Sequence, residues 1–202
     1  LSRYFSEQDK NKLLQTIEHH PLGILTTIQD GFPVSIHLPF VLTEHSGEFR
    51  LLTHIFLRNE ILNYIDNQPL SIVFTGVQGY VSPRLSPSLT AVPTWNYVAV
   101  YVQGKGKLLN DRKEKEEILV KMIEALEPDW LPAFKQLPES YLGPLYSAIA
   151  GIEITVTSLS GTTKLSQDRT PAHQDNIIKF MSSSNNPMEV LLGEKMRQEL
   201  KK

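Results

Sequence analysis

Between residues 92 and 107 polar and apolar positions alternate with the period of a strand, and the rest of the chain is patterned around that stretch. Trp95, Tyr97, Ala99, Tyr101 and Gln103 fall on one face, and Val98, Val100 and Val102 on the other. The valine face reads as core. The opposite face carries aromatic bodies with polar tips, which suits a packed interface or a shelf for a flat ligand. On pattern alone, packing against a helix or a second subunit is the commoner use of such a face. Pro93 sets an extended entry, while Gly104 and Gly106 predict a bulge or bend at the strand's end.

Upstream, Ser6 with Asp9 three residues later predicts a helix start, with Leu13, Leu14 and Ile17 as its apolar stripe and Pro21 as its stop. Residues 23–29 read as a strand ending at Asp30-Gly31, a hairpin signal. The return strand is expected over 32–42, with Val34, Ile36, Leu38 and Phe40 on one face and Ser35, His37 and Pro39 on the other. A second hairpin closes near Ser46-Gly47 and leads into a strand at 49–54. Asn59 predicts the cap of a short helix carrying Ile61, Leu62 and Ile65. Residues 70–75 form a short strand bounded by Gly76, resumed after an interruption at 79–81. Residues 82–92, with Pro83 and Pro87 among serines, form a loop.

Downstream the period changes. Asp111 caps a helix in which Ile118, Leu119, Met122, Ile123 and Leu126 make one stripe, ended by Pro128. A short helix is expected at 138–146 and a closing strand at 151–159. Thr170-Pro171 starts another helix, with Pro at its first position. Residues 182–187 are a polar hinge before a last amphipathic helix running to the C-terminus, which could dock on its own barrel or on a partner chain. Successive hairpins followed by helices predict an α+β, mainly β, sandwich or small barrel. Residues 1–165 would form the barrel domain and 166–202 a C-terminal helical extension.

The 202 residues suffice for one good core, and 41% are apolar, as in ordinary globular proteins. A net charge of −2 offers no electrostatic footprint for nucleic acid. The absence of cysteine excludes disulfides, thiolate catalysis and cysteine-ligated zinc. No apolar run approaches the about 20 residues that span a bilayer, and the first residues do not resemble a secretory signal. The expected location is the cytoplasm. None of the six histidines makes a convincing metal pair, and no metal site is expected. His37 and His54 sit in strands, where a hydrogen-bonded packing role is commoner than acid–base chemistry. No nucleophile elbow, P-loop or Rossmann fingerprint is present.

Several runs resemble the PaiB family: residues 92–100 (Val-Pro-Thr-Trp-Asn-Tyr-Val-Ala-Val) with Gly104, His37-Leu38-Pro39 after Gly23-Ile-Leu-Thr, Tyr80-Val-Ser-Pro83, and Lys164-Leu-Ser-Gln-Asp-Arg-Thr170. The likeness extends in order from about Phe5 to Met181. It implies an FMN-binding split β-barrel with peripheral helices, usually a homodimer with cofactor sites at the subunit interface. It also implies negative regulation of transcription, affecting protease production and sporulation, through DNA or another regulator. By position, the resemblance brings His37, His54, Arg58, Ser82, Trp95, Lys164, Gln167 and Arg169 to an FMN site. The family's Gly-His-Leu-Ala-Arg-Ala-Asn motif reads Thr53-His-Ile-Phe-Leu-Arg-Asn59 here, so Leu57 stands at the arginine position and Arg58 follows it. Gln78 stands where the family tends to have histidine. These departures bear on the flavin site rather than the fold. Two rival expectations stand beside the regulator: an FMN-dependent oxidoreductase, and a cofactor-free sensing or interaction module.

Overall fold

The computed structural model describes residues 5–88 and 91–200. Leu89 and Thr90 of the expected loop, the last two lysines of the expected final helix, and the N-terminal four residues lie outside the described residues. Among the described residues eight strands make one sheet: β1 (Ser6–Glu7), β2 (Leu22–Gln29), β3 (Phe32–Pro39), β4 (Val41–His45), β5 (Glu48–Phe56), β6 (Pro69–Val81), β7 (Thr94–Leu109) and β8 (Ile149–Lys164). Their spatial order is β3-β2-β6-β7-β8-β5-β4, with β1 beside β8. The chain divides into two compact units, one drawn from Leu1–Thr16, Thr75–Val100 and Ser160–Lys202, the other from Ile17–Phe74 and Tyr101–Leu159.

The second unit is a curled sheet. Asp30 and Gly31 both have positive φ (51° and 85°), as do Ser46 and Gly47 (52° and 83°), which is what two-residue hairpins require. The single return strand expected over 32–42 is in fact two strands, β3 and β4, separated only by Phe40. Those two strands lie at opposite ends of the sheet order. One residue advances the chain by about 3.8 Å, so the sheet must curl until its first and last strands meet end to end. This is an open, split barrel. Phe40 holds the corner: its N–H donates to the Pro21 carbonyl (2.8 Å) and its buried ring meets Phe74 edge-on at 5.6 Å. The corner leaves no trace in periodicity, because Leu38 and Phe40 keep the alternation running through it.

Gly104 and Gly106 do not end β7, which continues to Leu109. They allow close approach. A Cβ on Gly104 would sit 2.5 Å from both Ile154 Cγ2 and the Thr155 carbonyl oxygen, and one on Gly106 would sit 2.4 Å from the Ile65 oxygen. The 3₁₀ turn Glu60–Tyr64, capped by Asn59 as expected, closes here: Asn67 N–H donates to Gly106 O and Gly106 N–H to Gln68 O. Outside the strands lies α2 (Arg112–Leu126), started by a full Asp111/Glu114 capping box. Ile118 and Met122 pack on Val41, Leu52 and Leu109. The short helices α3 (Leu131–Phe134) and α4 (Glu139–Ala148) bury Phe134, Leu142 and Tyr146 against Leu119, Val120 and Ile123.

β6 runs without the expected interruption at Gly76, but its burial slips by one position. Leu70, Ile72, Phe74 and Gly76 are buried, and then Gly79 and Val81. In the first unit β8 extends to Lys164, and its end pairs with β1 through Ser6↔Thr162 and Glu7↔Gly161. Ser6 is therefore a strand residue and not a helix cap. Asp9 starts α1 (Lys10–His19) instead, its Oδ1 accepting from the Asn11 N–H at 3.0 Å. Thr170 caps α5 (Pro171–Ser182) as expected, and α6 (Pro187–Leu200) folds back on it. Met181, Leu192 and Met196 form a core with Val81, Val98 and Ile177. A Cβ on Gly79 would meet Leu192 at 2.9 Å, so the glycine lets α6 lie directly on β6. The last helix thus docks within its own unit, tied also by Lys12–Glu199 at 2.6 Å.

Candidate functional site

In the first unit the helical core covers one side of β6 and β7, taking Val77, Gly79, Val81 and Val98. Strand alternation turns Gln78, Tyr80 and Trp95 to the other side. Trp95 Nε1–H donates to Gln78 Oε1 (3.1 Å), and the Tyr80 and Trp95 ring centroids are 6.2 Å apart, tilted by 55°. Both rings stay exposed, at 45% and 48%. This is a flat aromatic shelf fixed by a hydrogen bond.

Lys164 lies in the same unit, at the end of β8. Its ammonium donates to Thr94 Oγ1 at 2.6 Å, one residue before Trp95, and lies 5.8 Å from the Phe5 ring. Next to Thr94 and Trp95, Asn96 turns inward and is fully buried. It accepts from Ser166 Oγ (3.1 Å) and contacts Met196 Sδ (3.6 Å). Gln167 serves the backbone, accepting from Leu165 N–H (2.7 Å) and donating to the Thr163 carbonyl (2.6 Å). Arg169 is exposed and lies 3.7 Å from Asp168. Ser82 caps the 3₁₀ turn Pro83–Leu85, accepting from Arg84 N–H. Of the candidates in this unit, Trp95 presents an exposed ring, Lys164 is held by Thr94, and Gln167 and Ser82 brace the backbone near them.

His37, His54 and Arg58 belong to the other unit. His54 is half-buried, with Nδ1 3.2 Å from Met122 Sδ on α2, and burial pushes its pKa below the ordinary 6.5. That is a packing position. His37 is exposed on β3, opposite Ile24 and two residues from the Thr26–Ser35 hydroxyl pair. β5 ends at Phe56, so Leu57 and Arg58 lie in a turn, where the one-residue shift of the arginine does not reverse a strand face. Arg58 is exposed there, and no charged or hydrogen-bonding partner engages it among the described residues. From sequence, Tyr80 entered only through its family run, Gln78 only as a departure from it, and Thr94 not by itself; none was named a site residue. The signal was present: Gln78 and Tyr80 are two apart on a strand, like Trp95 and Tyr97.

An open antiparallel sheet curled to a split barrel, with an exposed aromatic pair on one strand face, defines the class of flavin-type split-barrel proteins. The chain belongs to the family described as "Putative FMN-binding domain", which it matches over residues 1–158. It is 26% identical to the Bacillus subtilis protein "Protease synthase and sporulation protein PAI 2", over 100% of this chain and 98% of that one. An uncharacterized protein of Emericella nidulans is 30% identical over 82% of this chain and 83% of its own length. In fold, the chain is similar to the flavocytochrome Anf3 from Azotobacter vinelandii (TM-score 0.64, 18% identity, 81% of this chain and 72% of that one). It is also similar to a FAD and heme binding protein from Mycobacterium smegmatis (TM-score 0.63, 15% identity, 79% and 73%). No helix among the described residues is long and apolar enough to cross a membrane.

The family makes FMN the cofactor to weigh against these residues. A flavin needs a flat surface for its ring system and cationic or hydroxyl donors for its phosphate. The exposed Tyr80–Trp95 pair is of the kind suited to the first, and the Lys164 ammonium of the same unit is of the kind suited to the second. The donor set fits.

Proposed function

We propose that the chain is an FMN-binding regulator of PaiB type that acts as a cytoplasmic homodimer and lowers transcription of genes for protease production and sporulation. The likeness to the Bacillus subtilis relative along the whole chain carries this reading. The Tyr80–Trp95 shelf supports its flavin part. Trp95 would carry the ring system, and Lys164 of the same unit would meet the phosphate. Bound flavin supplies a redox centre, hence a means of reading the cell's reducing state. Exposed apolar residues such as Leu22, Ile28 and Phe32 support the dimer, since a monomer gains nothing by leaving them in water. With a net charge of −2, contact with DNA through another regulator fits better than unaided operator binding.

An FMN-dependent oxidoreductase is the second reading. It is favoured by the openness of the shelf, which leaves room for a second substrate against the ring. Titration with FMN, followed by quenching of flavin fluorescence, tests the flavin part of both readings. Saturable binding near micromolar is expected, weakened about tenfold by Lys164→Ala through loss of a charge-assisted hydrogen bond. No binding would overturn both and leave a cofactor-free interaction module. Where FMN binds, steady oxidation of reduced nicotinamide selects the enzyme, and its absence the regulator. Light scattering at micromolar concentration tests the dimer, and a monomer refutes it.

A further inference from the structure

In the barrel unit, Trp130, Phe134, Leu137, Pro138, Tyr141 and Leu145 line an apolar groove of about 470 Å³. One side of these short helices is used by the core: Phe134 and Leu142 rest on Leu119, Val120 and Ile123 of α2. The other side is not. Trp130, Tyr141 and Leu145 remain 47%, 57% and 45% exposed. Tyr141 and Leu145 are four apart on α4 and so share a face. Aromatic residues grouped in an apolar depression are the anchors that dominate protein–protein binding energy.

Acidic charge gathers at one end of the groove. Glu127 and Asp129 lie in the turn that ends at Trp130, whose N–H donates to the Glu127 carbonyl. Both are exposed, and neither has an ion-pair or hydrogen-bond partner through its carboxylate among the described residues. Glu139 is already neutralised by Arg112 at 2.7 Å. Lys135 is the one cation between residues 124 and 145. An apolar floor with acidic charge at one end is complementary to an amphipathic helix with basic residues at the matching end. The ten residues of α4 give the groove wall about 15 Å of length, enough for anchors at i, i+3 or i+4, and i+7.

We propose that this groove docks a basic amphipathic helix of a partner protein, apolar anchors seated on Trp130, Tyr141 and Leu145 and lysine or arginine facing Glu127 and Asp129. The occupant gains affinity from the apolar face and orientation from the charges, so binding weakens but persists as salt rises.

Fluorescence anisotropy with an 18-residue labelled peptide of leucine and lysine in helical amphipathic order tests it, against the same residues scrambled and a leucine/glutamate counterpart. Micromolar binding of the amphipathic basic peptide alone is expected. Leu145→Arg should weaken it at least tenfold, a double Glu127→Lys, Asp129→Lys variant several-fold, and Leu191→Arg, an exposed apolar position on α6, not at all. All these positions are exposed, and thermal melts check that each variant folds. Equal binding of the scrambled peptide, or no effect of Leu145→Arg, overturns the proposal. So does a dimer that Leu145→Arg converts to monomer, which would give the groove to a second copy of the chain.

Discussion

In the barrel unit the strands approach so closely that two positions of β7 tolerate only glycine, and the fit is between backbone and apolar side chain: Gly104 under Ile154 and Thr155, Gly106 under Ile65. In the unit that carries the aromatic shelf, close contacts of that kind (Gly79 under Leu192, Gly161 under Leu13) are joined by polar bridges. Buried Asn96 reaches Ser166, Gln174 Nε2–H reaches the carbonyls of Ser166 and Arg169, and Gln167 braces the turn from within. Close backbone packing gives a rigid frame but little selectivity for a ligand. A polar network specifies one arrangement, because each group left unpaired would cost free energy. The residues most suited to meet a flavin ring, Tyr80 and Trp95, lie on the second kind of scaffold.

The difference predicts how each unit breaks. Gly104→Val should be the most damaging single change, about 3 kcal/mol or more by overpacking, because the Thr155 carbonyl it would strike belongs to a paired strand and cannot swing aside. Denaturant melts check it, and a loss below 1 kcal/mol would mean that the strands can part. Asn96→Leu should cost about 2 kcal/mol, since the side chain is replaced by one of similar size and the buried Ser166 hydroxyl loses its acceptor. Restoring much of that loss by adding Ser166→Ala would show that the unpaired hydroxyl, and not the shape change, carried the cost.

Much of the frame was legible in the sequence. Both hairpins, the Asn59, Asp111 and Thr170 caps and the valine core of β7 follow from local rules and appear where expected. What failed did so for long-range reasons. The corner at Phe40 is invisible because alternation passes through it, and only the distance between β3 and β4 in the sheet reveals it. Ser6 looked like a cap because serine caps well, but pairing with Thr162, far along the chain, claimed it. Gly104 and Gly106 promised a bend because their crowding partners, Ile154 and Ile65, are remote in sequence. The candidate site was legible by resemblance rather than by spacing. Motif position alone cannot separate Trp95, which faces outward, from His54, which packs on Met122.

Two helix caps give a smaller version of the contrast. Asp111 and Glu114 satisfy two backbone donors reciprocally, whereas Thr170 makes one long contact of 3.4 Å to the His173 N–H. Asp111→Ala should cost about 1 kcal/mol and Thr170→Ala about half of that. Equal costs would show that the capping box adds nothing to a single cap.

The smallest effects separate the units by pH. Burial lowers the pKa of His54 from 6.5, so the folded barrel unit favours the neutral ring. Below about pH 6.5 the unfolded chain takes up a proton that the folded one refuses, and stability falls with pH until the folded value is passed. Glu199, in the other unit, is pushed up by burial but pulled down further by hydrogen bonds from Lys12 and Lys195, for a net lowering from 4.5. Its contribution is therefore complete above that value and lost as pH drops through the lower folded one. His54→Leu should flatten the melting temperature between about pH 7 and 5 relative to the unmutated chain. Glu199→Gln should leave that window alone and flatten the fall below about pH 4.5. His20 and His173 are lowered by burial as well, so the unmutated slope will not vanish in either variant. The decisive quantity is the difference between the two variants in the upper window. If it is nil, the His54–Met122 contact opens in solution, and His54 is free to turn toward a ligand.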